Sequence, residues 1–300
     1  MKEYVKNRPN PIVQMGLFND GSGLPLAFVI NPESRNEQPT LKPLEKRILK
    51  DFHLSKFVVC TDAGLSSYEN RLYNSMNERA FVTTQSIKKL KRHLKDWALD
   101  PSEWQMVDST QTTASKKRKQ TINLNDLDLE KDTQVYHKER WINENGLEQK
   151  LVLSFSPKQA NIREKQIERA LKKVDNPSQV EKKRANSPDR FIQSTHVTED
   201  GRIAGQSKYT INSALVEEEA KYDGFYGVCT NLESRPGEIV KINQRRWEIE
   251  ETFRILKSEM RIRPVFLQRD ERIKAHFVVI PFIINLPVNG EKNRRIRYVL

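Results

Sequence analysis

Three hundred residues, 36% hydrophobic and 31% charged, make a very polar chain long enough for one large domain or two ordinary ones. Its 52 Lys+Arg against 40 Asp+Glu leave a formal net charge of +12, a field that favours a polyanionic partner, of which nucleic acid is the commonest. No apolar run approaches the roughly 20 residues of a membrane span, and the opening MKEYVKNRPNP lacks the apolar centre of a secretory signal. A cytoplasmic, nucleoid-associated protein without membrane contact is therefore expected. Cys60 and Cys229 each lie in an apolar run, FVVC and FYGVC, and read as buried, reduced thiols.

In chain order, PIVQMGLF and LPLAFVI flank Asn19-Asp20-Gly21 and predict a β-hairpin with glycine in the turn. Leu41, Leu44, Ile48 and Leu49 then recur at helical spacing behind two prolines. Phe57 to Cys60 form a continuous apolar run ending at Thr61-Asp62-Ala63-Gly64, the pattern of a strand buried on both faces in the middle of a mixed sheet. A short helix over Ser67 to Met76, a strand over Ala80 to Thr84 and a basic amphipathic helix over Gln85 to Trp97 follow.

After Asp100-Pro101 the texture changes. Strand candidates at Gln134–Ile142, Leu151–Phe155, Arg190–His196 and Gln206–Ile211 alternate with loops, and a Lys/Arg-rich helix covers Pro157 to Val174. Lys116 to Lys119 and Glu181 to Asn186 read as solvated loops. The stretch 104–220 is thus expected to be a β-rich insertion dividing a first unit, 1–103, from a last one, 221–285, with an irregular basic tail at 286–300. The last unit opens on YDGFYGVCTNL, a buried-strand pattern, and continues as a helix from about Pro236 to Met260 with Ile242, Ile249, Phe253 and Leu256 on one face.

Two places combine structure with reactive groups. Asp62 stands where a buried strand meets a glycine turn, the end of a strand at which open α/β sheets place their reacting groups. Arg246, Glu250, Arg254 and Lys257 fall within about 80° of helical arc beside the apolar stripe. A carboxylate flanked by cations there suits a divalent ion and a phosphate. The bland readings are a turn-forming or helix-capping aspartate and a solvated ladder of i,i+4 pairs worth about 0.2–0.5 kcal/mol each. The four tryptophans, Trp97, Trp104, Trp141 and Trp247, read as packing residues rather than base-stacking platforms, with Trp141 the best placed if any of them touches DNA.

The segment INQRRWEIEETFRILKSE strongly resembles the R-x3-E-x6-K element of insertion-sequence DDE transposases, in particular the insertion-sequence-four-like group. VVCTDAGLSS resembles the segment carrying that family's second catalytic aspartate, and NRPNPIVQMGLFNDGSGLPLAFVI and RAFVTTQSIKKLK look like further family blocks. The resemblance implies an α/β fold: a ribonuclease-H-like mixed sheet flanked by helices, with a β-rich insertion between the second Asp and the Glu. It implies Asp62 and Glu250 as catalytic acids and ligands of Mg2+ or Mn2+, two ions in an intact relative. Arg246, Arg254 and Lys257 would be the cations for DNA phosphate. Asn243 replaces a tyrosine that often stands three residues before the arginine.

The partners implied are double-stranded DNA, as transposon-end inverted repeats and as target, with a homodimer as one assembly compatible with such a complex. In the family the first aspartate lies on a strand just upstream of the hairpin, and Asp20 sits in turn chemistry. The expectation is therefore a truncated, catalytically impaired copy that lacks the first core strand and has an altered end after about Ile284. Three rivals stand beside it: a non-catalytic DNA-binding remnant that interferes with an intact transposase, a ribonuclease-H-like nuclease that cleaves without joining, and a basic structural protein.

Overall fold

A computed structural model describes residues 13–19, 25–32, 36–54, 57–106, 121–160, 162–174, 187–197, 203–245 and 271–277, with Glu250, Arg254, Ser258, Leu267 and Arg269 as single positions. The predicted turn at Asp20-Gly21, the Lys116–Lys119 and Glu181–Asn186 stretches, most of the Phe277–Ile284 segment and the tail lie outside the described residues. Among the described residues no helix is long and apolar enough to cross a membrane.

The architecture is mixed α/β. Strands β1 (Val13–Asn19) and β2 (Pro25–Pro32) pair antiparallel as the expected hairpin. Helix α1 (Leu41–Asp51) follows a 3-10 turn and buries Leu41, Glu45 and Ile48. Strand β3 (Phe57–Thr61) leads through a 3-10 turn to α2 (Tyr68–Tyr73) and β4 (Arg79–Gln85). Helix α3 (Arg92–Leu99), β5 (Trp104–Met106), β6 (Thr121–Ile122), β7 (Tyr136–Glu144) and β8 (Leu147–Phe155) come next. They are followed by α4 (Pro157–Ala160), α5 (Ile162–Val174), β9 (Ile192–Val197), β10 (Ile203–Ile211), α6 (Ser213–Ala220), β11 (Phe225–Thr230) and α7 (Pro236–Gln244).

One sheet has the order β3-β4-β11-β8-β7-β5-β6, while β1-β2 and β9-β10 form separate two-stranded sheets. It is mixed, because β3 runs parallel to β4 and β11 antiparallel to it. A mixed sheet with helices is compatible with a ribonuclease-H-like fold. Two expectations need correcting. Among the described residues strand β3 is an edge strand rather than one in mid-sheet, and it is not buried on both faces, since Val58 is 40% exposed. A short apolar run cannot by itself report which strand lies beside it. The basic segment from Gln85 to Trp97 is not one helix, since Gln85 still belongs to β4 and a 3-10 turn, Ile87–Lys89, ends at Leu90 and Lys91 in extended conformation before α3 starts.

The chain forms two compact units, one of residues 1–85, 139–152 and 227–300, the other of 86–138 and 153–226. In the first, Phe57, Val59, Phe81, Val82, Val228 and Ile239 are buried. Strands β7 and β8 meet there at Asn145-Gly146, both at positive φ (52° and 89°), the dihedral sign a two-residue hairpin turn demands. In the second, Trp104 packs its ring against Phe155 and Phe225 at 6.2 and 5.6 Å. A separate cluster of Ala170, Phe191 and Ile192 lies under a polar cap in which Glu219 accepts from Arg163 and Arg190 at 2.9 and 2.8 Å.

The first unit also buries a carboxyl group. Glu45 is fully buried, and Asn74 Nδ2 donates to both its oxygens at 3.0 and 3.1 Å. Burial raises its pKa from 4.5 to about 7, against the opposing pull of the Asn74 hydrogen bond and of Arg79 and Lys42. The folded chain therefore holds a proton that the unfolded chain releases between those pH values. The stabilisation is full below about 4.5 and is lost as pH rises through about 7. Glu45→Gln keeps an acceptor for Asn74 without the charge. It is expected to flatten this pH dependence and to be more stable than the parent above pH 7, by up to about 3 kcal/mol. Urea unfolding of both proteins at pH 5 and pH 8 measures it.

Candidate active site

The site begins where β3 runs out. Thr61 pairs with Thr83 of β4 in the parallel register. Its hydroxyl donates to Thr83 Oγ1 at 2.9 Å, and Thr83 donates onward to the Asp62 carbonyl at 3.3 Å. Asp62 stays extended (φ −80°, ψ 179°), and its Oδ1 accepts from the backbone N–H of Gly64 and Leu65 at 2.9 and 3.2 Å. This is a capping interaction at the start of a 3-10 turn. It occupies one carboxylate oxygen; Oδ2 makes no hydrogen bond to the described residues.

Side chains from outside the turn hold it in place. Gln38 Nε2 donates to the Gly64 carbonyl, and Gln38 Oε1 accepts from Ser67 N at 3.0 Å. Buried Asn70 donates to the carbonyls of Gln38 and Leu65 at 3.0 and 3.1 Å. Arg71 Nε donates to the Ser66 carbonyl at 3.2 Å, while its Nη1 is fixed by Gln149 at 2.7 Å and Glu144 at 2.8 Å. Gly64 permits the close approach of the cap: a Cβ there would lie 3.0 Å from Asp62 Oδ1.

The second element is α7. Its Ile239 and Val240 are buried, the Ile242 carbonyl lies 3.9 Å from Cys60 Sγ, and Asn243 Oδ1 accepts from Thr84 at 3.5 Å. Asn243, which stands where a tyrosine was expected, is thus buried against β4. Beyond α7, Glu250, Arg254 and Ser258 are helical and exposed. Glu250 borders a cavity of about 320 Å3 that Asp62 also borders, together with Thr61, Leu65, Glu37 and residues of β1 and α1.

The structure therefore brings Asp62 and Glu250 to one cavity. Arg254 is helical and exposed, whereas Arg246 and Lys257 lie outside the described residues, as do Asp20 and Trp247. Trp104 is buried as expected of a packing residue, whereas Trp141 is half exposed with Lys150 Nζ 5.6 Å from its ring centroid. Among the described residues no three His, Cys, Asp or Glu side chains gather at metal-holding distance.

Sequence reasoning missed Gln38, Asn70, Glu37 and Asn19. The first two carry no motif, and Asn19 was absorbed into a turn reading although its side chain is buried.

A mixed sheet, a capped aspartate at a strand end and a glutamate far off in the sequence bordering the same cavity characterise an α/β protein with a cavity that Glu37, Asp62 and Glu250 border. The family model for the transposase DDE domain matches residues 12–286, and the chain belongs to the DDE transposase family. No curated protein matches it significantly.

The cap predicts a separation of roles at Asp62. Asparagine caps as well as aspartate, whereas alanine forfeits about 1 kcal/mol. Asp62→Asn should therefore unfold within a few tenths of a kcal/mol of the parent and Asp62→Ala about 1 kcal/mol below it. Equal losses in denaturant unfolding would show that the cap contributes nothing.

Proposed function

We propose that the chain is a DNA transposase in which Asp62 and Glu250 are the catalytic acids and hold a divalent cation, while Arg246, Arg254 and Lys257 engage DNA phosphate. The observation that carries this reading is the shared cavity: two acids far apart in the sequence border the same space. Asp62 is oriented by its own cap, so one oxygen is spent on geometry and the other is left to bind. Glu250 comes to the cavity from a helix and Asp62 from a strand end, so the two are set by independent elements.

The donor set suits Mg2+ or Mn2+ in kind, since both take hard oxygen ligands and fill remaining positions with water and substrate. When bound, such an ion stabilises the charge that develops on a phosphodiester under attack. The partner is double-stranded DNA, at inverted-repeat ends and at the target, approached as a homodimer in the nucleoid-associated cytoplasm. A net charge of +12 supports that partner. The stretch 104–220 then serves as the inserted subdomain between the two acids, a reading that the compact unit of residues 86–138 and 153–226 supports.

The finer reading is an impaired copy. A two-ion site calls for several converging carboxylates; besides Asp62 and Glu250, the only carboxylate bordering the cavity among the described residues is the exposed Glu37 ahead of a 3-10 turn, which supports DNA binding with weak cleavage.

The test is a Mn2+ titration beside DNA binding and nicking of transposon-end DNA. Asp62→Asn and Glu250→Gln should each weaken Mn2+ binding by roughly tenfold or more, the scale on which metal sites respond to ligand-region changes. DNA affinity should fall linearly in log–log form with salt, with a slope of about −0.9 per phosphate neutralised. Unchanged Mn2+ affinity in both variants would remove the shared-site reading. Vigorous Mg2+-dependent nicking that Asp62→Ala abolishes would keep the site and overturn the impairment.

A further inference from the structure

Three cations gather about one aromatic ring where α1 and α2 meet in the first unit. Arg79 stacks its guanidinium 3.9 Å from the centre of the Tyr73 ring, and Lys42 and Lys46 of α1 each bring Nζ to 5.9 Å from it. Arg79 is fixed there, since its Nη2 donates to the Tyr73 carbonyl at 2.6 Å. Tyr73 and Lys42 are half-buried and Lys46 is exposed. None of the three cations forms an ion pair with a described residue. Glu45, whose carboxyl senses Arg79 and Lys42, is buried and holds a proton up to about pH 7, so below that pH it offers them no counter-charge.

The ring accounts for Arg79 but not for all three charges. About 6 Å is the outer limit of a cation–π contact, and both lysines stand at it. The helix itself works against the arrangement. Lys42, Lys46 and Lys50 recur at i, i+4 and i+8, where like charges repel. No acid stands in the first turn of α1 to offset Lys42 against the helix dipole. Arg47, about 100° further round from Lys46, is by contrast paired with Asp51 at 3.3 Å. The helix thus neutralises one cation within the fold and leaves a stripe of others concentrated on one side, a charge that folding does not use.

The stripe starts beside the cavity. Leu41 and Leu44 of the first turn of α1 border it, and Gln38 just ahead holds the turn that follows Asp62. Lys46 stands about 6 Å further along the helix axis than Lys42. The chain's own ends do not suit the stripe as counter-ions, because MKEYVKNRPN and EKNRRIRYVL are themselves basic.

Resting on the reading of the chain as a DNA transposase, we propose that Lys42, Lys46, Tyr73 and Arg79 form a separate phosphate-binding station, which holds the backbone of double-stranded DNA beside the Asp62–Glu250 cavity. Lys42 and Lys46 each neutralise one phosphate, the Tyr73 ring carries their apolar stems, and Arg79 adds a fixed positive charge. The station positions DNA without reading its bases.

The experiment uses the full chain and fluorescent DNA duplexes of unrelated sequence, with binding followed by anisotropy from about 50 to 200 mM salt. One variant combines Lys42→Gln with Lys46→Gln. A control combines Arg47→Gln with Lys131→Gln, which removes the same charge from two ion-paired cations. The first is expected to lower the log–log salt slope by about 2 on every duplex, the control to leave it unchanged. On the unmodified chain, DNA is expected to slow chemical acetylation of Lys42 and Lys46 several-fold and that of Lys131 not at all, a readout that no folding defect can disturb. Mn2+ affinity in the first variant is expected to stay at the parent value; its loss would overturn the proposal by showing that the substitutions act through the cavity. Equal slopes in the two variants, or acetylation of Lys42 and Lys46 that DNA leaves unchanged, would overturn the station while the transposase reading stands. Equal protection by poly-glutamate would overturn it in favour of an acidic polypeptide. A parent chain that binds no DNA overturns both readings.

Discussion

The geometry at the cavity depends on how the backbone is held between Asp62 and Ser67. A strand that ends in a glycine turn has several ways to leave the sheet, and each would aim the aspartate elsewhere. Here the carbonyls of Gly64, Leu65 and Ser66 and the N–H of Ser67 are all taken by side chains, from Gln38 ahead of α1 and from Asn70 and Arg71 of α2. Of these hydrogen bonds the neutral ones contribute about 1 kcal/mol each in net terms, and the one from the Arg71 guanidinium about 1.5–3 kcal/mol. Their larger effect is to remove alternatives, because an exit by another path would bury those side chains unpaired. Arg71 in turn is fixed by Gln149 and Glu144, so the turn is tied to the β7–β8 hairpin as well as to its own helix.

That constraint makes the capping reading of Asp62 compatible with the catalytic role given to it in the proposed function. One oxygen of Asp62 serves the turn, and this service orients the carboxylate. The partner acid depends on a different chain of contacts. Proline at the first turn of α7 and apolar Ile239 and Val240 seat that helix, and Asn243 and the Ile242 carbonyl tie its last turn to β4 and β3. The strand that ends in Asp62 and the helix that precedes Glu250 are therefore packed on each other, and residues far apart in the sequence arrive at one cavity.

Much of this was legible before any coordinates. The hairpin, β3, β4, β7 through β11 and the positions of Asp62 and Glu250 followed from apolar periodicity and from one spaced motif. What was not legible has physical causes. The run Phe57–Cys60 looks the same in a central strand as at an edge, since only the neighbouring strand decides, and Val58 turned out to face solvent. The break at Leu90-Lys91 carries no proline or glycine, so periodicity ran straight through it. Glu45, Gln38 and Asn70 are polar residues at positions that a helical pattern assigns to a surface or a turn. The burial of Glu45 and Asn70 and the half-burial of Gln38 follow from a tertiary partner, Asn74 for Glu45 and the Asp62 turn for the other two. By contrast Asn145-Gly146 is a turn signal readable in the sequence, and it marks the hairpin that anchors Arg71.

The charge of the molecule also has two scales that act against each other. A net +12 draws polyanions from a distance, but at physiological ionic strength that attraction is screened beyond about 8 Å. Within contact range a phosphate at the proposed site meets Glu37, Asp62 and Glu250. Each unit charge about 4 Å away repels it by about 1 kcal/mol in water and about 4 kcal/mol at the effective dielectric near a protein surface. The local term wins at contact, so the cavity cannot receive a phosphate unless its acids are first neutralised. In the proposed function a divalent cation does this, and its affinity and that of DNA must then rise together, because each lowers the cost of binding the other. In the proposed function the long-range field gathers DNA without regard to sequence, and the acids admit it to the cavity only in the company of a divalent cation.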